Sequence, residues 1–427
     1  MRRIRVRSLA VATALLLATG AAACSGSSSS SAGSSGSEGP ATGPSFTVAA
    51  AGEGDFGGVH GTPDAVASVG GHFVATTLDV CALSQSVSPS IVESNDGRSW
   101  TLVSADPVQF PKGASVTSMV EADGVLRVVG NVPAATGPQA WLWTTTDGVA
   151  WQHEVLDPTV FRPGGDGSST LSLTGIFHTG DGFVITGTAD ALGNDAASGT
   201  GQILLWTSPD ATTWTPASIV EGTGSFPQVL QILDTTSGLV ALGARYILAT
   251  DGAAAWRSVD HGATWLPIAG AVPPVVVPGR RSQAATAVTD AQGSVVGGSA
   301  VDAAKSGGAD VQAAIWTTAD GDTWNVAALP PVSATHSIVS GIDGVGGDTV
   351  AVGADGNDAL VLTSSDDGST WASGTLPRPD DAAGQTTFAA GIADNGSTTV
   401  VVGGSIEPAS GGATCATTHL VAWTADR

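Results

Sequence analysis

The sequence predicts an all-β fold in which one structural unit is repeated seven times, and three observations lead to this prediction. A short pattern of Ser or Thr, Asp, Gly and Trp recurs along most of the chain. Turn dipeptides and hydrophobic runs surround each copy in the same order. Glycine accounts for 58 of the 427 residues, and such a content, together with runs of β-branched residues, favours strands and turns.

The recurring pattern occupies residues 94–100, 145–151, 208–214, 258–265, 318–324 and 364–371. A truncated seventh copy ends the chain at 423–426. The regular spacing is typical of a repeat architecture. The aspartates and closing tryptophans of the six complete copies are Asp96, Asp147, Asp210, Asp260, Asp320, Asp366, Trp100, Trp151, Trp214, Trp265, Trp324 and Trp371.

The surroundings of each copy predict four antiparallel strands. A dipeptide such as Asp123-Gly124 separates two strand-like runs and is a hairpin signal. A third strand then leads into the pattern, and a fourth follows its tryptophan. Seven such units predict a seven-bladed β-propeller of four-stranded antiparallel blades, formed by residues 45–427 as one domain.

The last unit stops before its fourth strand, so this strand has to come from elsewhere. Residues 45–49 are similar to residues 99–103, with Phe46 in the place of Trp100. We therefore predict that the N-terminal strand completes the last blade and closes the ring.

The repeated pattern resembles the Asp-box, or bacterial neuraminidase repeat, and residues 46–427 resemble the sialidase-like superfamily of propellers. In that superfamily the box is a structural turn, and its Asp and Ser/Thr side chains bond the hairpin backbone. The resemblance thus implies structural roles for the six aspartates and six tryptophans. Physical chemistry agrees, because Asp and Ser/Thr cap turns and a buried indole supplies a large apolar surface.

The N-terminus predicts export and lipid anchoring. Residues 1–23 combine basic residues, a short apolar run and small residues before Cys24, which resembles a bacterial lipobox with Ala21 where Leu is usual. The resemblance implies a lipid on Cys24 that anchors the protein at the extracytoplasmic face of the cell membrane; ordinary secretion is the alternative. Residues 24–44, rich in Ser and Gly, predict a flexible tether.

Two further cysteines, Cys81 and Cys415, fall in equivalent loops of the first and last blades. A closed ring makes these blades neighbours, and an oxidising compartment favours a disulfide. The prediction is a bridge between Cys81 and Cys415, with two free thiols as the alternative.

Candidates for catalysis come from the resemblance alone. A sialidase implies arginines that grip a carboxylate, a tyrosine paired with a glutamate, and an acid. We assign the catalytic candidates to the predicted loops opposite the boxes: Glu221, Arg245, Tyr246, Arg280 and Arg281. The family has six blades and its tyrosine comes last, whereas here Tyr246 precedes Arg280. For other glycoside hydrolases or lyases, the loop carboxylates would be Glu221, Asp166 and Asp190.

Composition excludes several classes of partner. A formal charge of −23 excludes nucleic acid, which needs a clustered basic surface. The seven histidines show no spacing for zinc, and no stretch has the alternating ligands of a calcium loop. We therefore expect no cofactor or metal.

The expected function is that of a monomeric, non-enzymatic binding or scaffolding module that presents its loops to a protein or glycan. The scarcity of Glu, Tyr and Arg outside the turns is the reason for this preference. The alternative is a sialidase-like glycoside hydrolase, or a lyase, acting on envelope or host glycans.

Overall fold

The computed structural model confirms the predicted fold class. It describes residues 4–8, 43–59, 61–78, 90–135, 137–162, 169–191, 202–219, 227–245, 253–269, 272–278, 280–302, 310–333, 335–407 and 417–427. These residues form a seven-bladed β-propeller whose blades are four-stranded antiparallel sheets. In the described part of the chain, one 3₁₀ turn, Asp380–Ala382, accompanies the strands. No helix in that part is long and apolar enough to cross a membrane.

The first and second strands of each blade form its inner half. The first strands of blades 1 to 7 are Thr62–Val69, Ser115–Ala122, Ser169–Thr179, Pro227–Thr235, Arg281–Asp290, Ser337–Val345 and Thr386–Asp394. The second strands are His72–Leu78, Val125–Val132, Gly182–Ala191, Gly238–Arg245, Gly293–Val301, Asp348–Asp355 and Thr398–Ile406.

The third and fourth strands form the outer half. The third strands are Ser90–Ser94, Gln139–Thr145, Gln202–Ser208, Ala253–Ser258, Val311–Thr318, Asp358–Ser364 and Thr418–Asp426. The fourth strands are Thr101–Leu102, Gln152–Val155, Thr215–Pro216, Thr264–Pro267, Asn325–Val326, Ala372–Thr375 and, in blade 7, Thr47–Ala51. A short strand, Ser218–Ile219, pairs in parallel with the fourth strand of blade 4.

The ring is continuous around its axis. Each first strand contacts the first strand of the next blade, and that of blade 7 contacts that of blade 1. In blade 7 the strand Thr47–Ala51 pairs with Thr418–Asp426, so that Val48 lies opposite Trp423. The outer strand of the last blade thus comes from the start of the propeller.

A further N-terminal strand, Ile4–Ser8, lies within the ring. It pairs on one side with the first strand of blade 2 and on the other with the first strand of blade 5. The structure therefore describes an extended chain in the central channel, formed by residues that the sequence assigns to the leader.

The core lies between neighbouring blades, where strands are covered on both faces. Large side chains there are fully buried, among them Trp143, Trp206, Trp256, Trp316 and Trp423 on the third strands. Four of these indoles also donate a hydrogen bond to a backbone carbonyl of the segment that enters their blade. The bonds run from Trp143 to Gln109 at 2.7 Å, from Trp206 to Val160 at 3.0 Å, from Trp316 to Pro274 at 3.1 Å and from Trp423 to Pro377 at 2.6 Å. The third-strand tryptophans thus fix the connections between blades as well as the core.

Candidate functional site

The two faces of the propeller differ in the regularity of their turns. We call the six complete copies of the repeated pattern the boxes, the face that carries them the box face and the opposite one the loop face. On the box face, the turns between first and second strands are uniformly short. Residues 70–71 form this turn in blade 1, and residues 346–347 form it in blade 6. On the loop face, the connections between second and third strands differ in length, from the short segment 356–357 in blade 6 to the much longer segment 79–89 in blade 1. Variation between blades is therefore concentrated on the loop face.

Hydrogen bonds within each box stabilise the box face, and blade 2 shows the pattern. Asp147 Oδ1 accepts hydrogen bonds from the backbone N–H groups two and three residues later, at 2.9 and 2.8 Å. The hydroxyl of Thr145 accepts one from the N–H of Gly148 at 2.9 Å. The indole of Trp151 donates to the carbonyl of Gly148 at 2.9 Å. The side chains thus satisfy the backbone of a turn that no strand partner reaches.

Hydrogen bonds from backbone and side-chain donors lower the pKa of the box carboxyls. In Asp147 the N–H of Ala150, and then that of Val149, lowers the pKa of the carboxyl. In Asp96 burial opposes the shift, and the hydrogen bonds outweigh it. The pKa is lowered in every one of the six boxes, at Asp96, Asp147, Asp210, Asp260, Asp320 and Asp366.

These shifts predict sensitivity to acid. An unfolded Asp has a pKa of about 3.9, so the stabilisation from a lowered folded pKa is complete above about pH 4 and is lost as the pH falls through the folded values. We expect the melting temperature, measured by circular dichroism, to fall steeply below pH 4. Asp147→Asn should have a lower melting temperature than the parent at pH 6, and its melting temperature should fall less than that of the parent between pH 6 and pH 2.5. A melting temperature that stays constant down to pH 2.5 would contradict this account.

The box glycines also join each blade to the one before it. A Cβ on Gly97 would lie 2.4 Å from Val400 of blade 7, and one on Gly321 would lie 2.5 Å from Val240 of blade 4. Both glycines have positive φ, 72° and 73°. Glycine is therefore required at each of these positions for two reasons: the backbone is left-handed, and the preceding blade approaches too closely for a side chain.

Blade 3 departs from this rule, because Ala211 occupies the glycine position at φ 61°. Its box tryptophan, Trp214, has a buried indole N–H without a hydrogen-bond partner among the described residues. The blade 3 box therefore combines a strained backbone with an unsatisfied donor.

Ala211→Gly is expected to stabilise the protein by about 1 kcal/mol, because a left-handed conformation costs an L-residue roughly 1–2 kcal/mol and glycine almost nothing. Chemical denaturation monitored by tryptophan fluorescence would measure the gain. Ala255→Gly, in the third strand of blade 4, is the matched control and should destabilise. A loss of stability in Ala211→Gly would show that Ala211 is not strained.

Loop-face carboxylates form ion pairs with basic groups. Asp310 lies 3.9 Å from Arg280 in blade 5, and both side chains are largely buried. Asp358 of blade 6 pairs with Arg378. In blade 7, Glu407 lies 3.3 Å from His419. Each of these carboxylates thus faces an arginine or a histidine, whereas glycoside hydrolysis uses two carboxylates that face the same substrate.

The structure places only part of the predicted catalytic set. Arg280 pairs with Asp310, and Arg281 begins the first strand of blade 5, opposite Val301. Arg245 ends the second strand of blade 4, opposite Pro227. Asp190 is the register partner of Thr170 near the end of the second strand of blade 3. Arg245, Arg280 and Arg281 therefore all lie towards the loop face, in adjacent blades.

Several predicted residues lie outside the described residues. They are Glu221, Tyr246, Asp166 and the three cysteines Cys24, Cys81 and Cys415. In the part of the chain that the structure describes, no group of three or more His, Cys, Asp or Glu side chains could hold a metal ion.

One further acidic residue stands out in the structure but not in the sequence. Asp64 lies in the first strand of blade 1, where it is the extra residue of a bulge between Pro63 and Ala65. Burial raises the pKa of its carboxyl to about 7. In the sequence, this Asp lies in a Thr-Pro-Asp-Ala segment that belongs to no repeated pattern. Its unusual environment therefore becomes evident only in the folded ring.

Comparison with known proteins gives similarity in fold. No protein-family model matches the chain, and no curated protein matches it. Among solved structures, the chain is similar to Trypanosoma rangeli sialidase in complex with sialic acid, with 12% identity and a TM-score of 0.47 over 86% of this chain and 54% of that one. It is similar to Hadza microbial sialidase Hz136, with 13% identity and a TM-score of 0.45 over 86% of this chain and 66% of that one.

A polysaccharide lyase, an ulvan lyase, is also similar, with 12% identity and a TM-score of 0.49 over 79% of this chain and 88% of that one. The chain thus spans less than two thirds of the length of either sialidase.

Proposed function

We propose that the protein is a non-enzymatic, lipid-anchored surface module that binds its partner through the loop face. The observation that carries the proposal is the contrast between the two faces. The box face repeats one hydrogen-bonded turn in blade after blade, whereas the loop-face connections differ in length from blade to blade. In a rigid scaffold, variable loops on one face are where binding residues concentrate.

The described ion pairs support binding rather than hydrolysis. A glycosidase needs an acid and a second carboxylate about 5 to 10 Å apart across the scissile bond. Asp310, Asp358 and Glu407 instead pair with Arg280, Arg378 and His419. A surface of paired charges offers polar contacts to a partner.

The entry of the tether supports an outward orientation of the loop face. Gly43 and Phe46 line one groove together with the box residues Ser365, Thr370 and Trp371 of blade 6. The tether thus joins the ring at the box-face end of its outer edge. With a lipid on Cys24, this attachment leaves the loop face free to point away from the membrane.

Charge reversal on each face tests the proposal. Labelled protein beginning at residue 24 is titrated with an envelope fraction of the source bacterium. The loop-face variant carries Asp358→Lys and Glu407→Lys; the matched box-face variant carries Asp322→Lys and Asp367→Lys, and all four carboxyls are exposed. We expect saturable binding that weakens at least tenfold in the loop-face variant only. Equal binding by both variants, at unchanged melting temperatures, would overturn the proposal.

The resemblance to sialidases supports glycoside hydrolysis as the competing function. The same protein is assayed on a fluorogenic sialoside, with Tyr246→Phe as the variant. We expect no turnover above the rate without protein. Measurable turnover that Tyr246→Phe abolishes would replace binding by hydrolysis as the function.

A further inference from the structure

The first strands of the seven blades line the central channel, and each of them carries a bulge at the same position. The extra residues of these bulges are Asp64, Thr117, Thr174, Leu230, Ala285, Ser340 and Ala390. In the described ring, one of the seven positions is therefore a carboxylate. The bulges lie in the half of the channel nearer the loop face, since first strands run from the loop face to the box face.

Asp64 has no partner within the described residues, and its side chain is only partly exposed to solvent. The residue opposite its bulge is Thr76, whose hydroxyl is buried and lacks a hydrogen bond in the described part of the chain. The equivalent pair in blade 3 is satisfied, because the hydroxyls of Thr174 and Thr186 bond each other at 2.9 Å. In blade 1, the carboxyl of Asp64 and the hydroxyl of Thr76 therefore have no hydrogen-bond partner among the described residues.

Charged groups on the strands packed against Thr62–Val69 do not neutralise Asp64. They are His72, Glu121, Arg127, Asp394, His419 and Asp426. Burial is the cause of the raised pKa of Asp64, with no contribution from any of these groups. A partly buried carboxylate without a counter-charge is destabilised, and a cation that arrives with a ligand would relieve this destabilisation.

Acidic side chains outnumber basic ones on the first strands. The first strands carry six carboxylates against one arginine and one histidine: Asp64, Glu121, Asp234, Asp290, Asp343, Asp394, Arg281 and His178. Asp394 is paired with Arg427 at 2.8 Å. Glu121, Asp234 and Asp290 accept hydrogen bonds from backbone N–H groups at the box-face ends of the strands. Asp64 is therefore the first-strand carboxylate in the half of the channel nearer the loop face, and its charge favours a cationic ligand.

The channel also has the width and the edges for an extended chain. Residues Ile4–Ser8, Ile-Arg-Val-Arg-Ser, pair through the backbone with blade 2, where Arg5 lies opposite Glu121, and with blade 5, where Val6 lies opposite Ala287. This segment contains two arginines and no acid. If the leader is removed on export, as the sequence predicts, the same strand edges become available to another chain.

We propose that the central channel of the exported protein binds an extended cationic peptide segment by strand pairing, with Asp64 and Thr76 receiving one of its basic side chains. Strand addition supplies affinity through the main chain, and the carboxylate selects Arg or Lys. The inference deepens the proposed function by naming the chemistry of the partner, and it rests on that function.

The test uses protein beginning at residue 24 and the fluorescent peptide Ile-Arg-Val-Arg-Ser as the probe, with fluorescence anisotropy as the readout. We expect saturable binding that weakens at least fivefold in Asp64→Asn and weakens with added salt. Asp64→Glu should retain most of the affinity, and Asp367→Asn on the box face should leave it unchanged. The peptide Ile-Ala-Val-Ala-Ser should bind at least fivefold more weakly.

Equal affinity of the parent and Asp64→Asn, or no binding of the arginine peptide at millimolar concentration, would overturn the inference. Melting temperatures of all variants show whether the ring is intact. If Asp64→Asn leaves binding to the envelope fraction unchanged while the loop-face variant abolishes it, the channel inference fails and the proposed function stands.

Discussion

Gly97→Ala is expected to lower the free energy of unfolding by about 3 kcal/mol, one of the two largest effects that the structure predicts. Part of the loss comes from φ 72°, which costs an L-residue roughly 1–2 kcal/mol. The rest comes from overpacking, because the new methyl group would lie 2.4 Å from Val400 and 2.9 Å from Thr424, both fully buried in blade 7. Urea unfolding followed by tryptophan fluorescence measures the change.

Gly124→Ala is the matched control for this prediction. Its φ is 76°, close to that of Gly97, but a Cβ there meets nothing within 4 Å. This substitution should therefore lower the free energy of unfolding by only about 1 kcal/mol, the cost of placing alanine in a left-handed backbone conformation. Equal losses in the two variants would show that the box glycine serves its own turn and does not join blade 1 to blade 7.

Removal of the strand Thr47–Ala51 is expected to abolish cooperative folding. Blade 7 would lose its fourth strand, and the edge of Thr418–Asp426 would be left unpaired. Phe46, which is buried beside Trp423 and Val421, would be lost with it. Protein that begins at Gly52 should be insoluble or melt without a sharp transition, whereas protein that begins at Gly43 should melt cooperatively.

A point substitution tests the role of this N-terminal strand in closing the ring without removing the strand. Phe46→Ala should destabilise by about 3–4 kcal/mol, since it empties a buried aromatic site. Thr47→Ala, at an exposed position of the same strand, should change stability by less than about 0.5 kcal/mol. Similar melting temperatures for the proteins that begin at Gly43 and Gly52 would contradict the role of this strand.

The blades could be predicted from the sequence because their determinants are local. Hairpin dipeptides, hydrophobic runs and the box lie within one repeat, and the similarity of Phe46 to Trp100 identified the missing strand. The bulge at Asp64 could not be predicted in this way, because it depends on how the first strands curve around the axis. The same holds for the pair of Arg98 and Asp426, 2.8 Å apart, which join the first and last blades.

The candidate site was less predictable than the fold. The sequence singles out Arg280 by its residue type and its loop, but its partner Asp310 follows a long connection and comes close only in the folded blade. Asp64 carries no motif at all. The six box aspartates, by contrast, stand out in sequence because each turn needs the same side-chain acceptor in the same place.

Hydrogen–deuterium exchange of protein beginning at residue 24, with and without the envelope fraction, tests binding through the loop face most directly. We predict slower exchange at the loop-face ends of the strands, including segments that contain Arg280, Asp358 and His419, and along the first strand of blade 1. Exchange in the six boxes should be unchanged. Protection centred on the boxes, or release of free sugar from the envelope fraction during the measurement, would contradict the account.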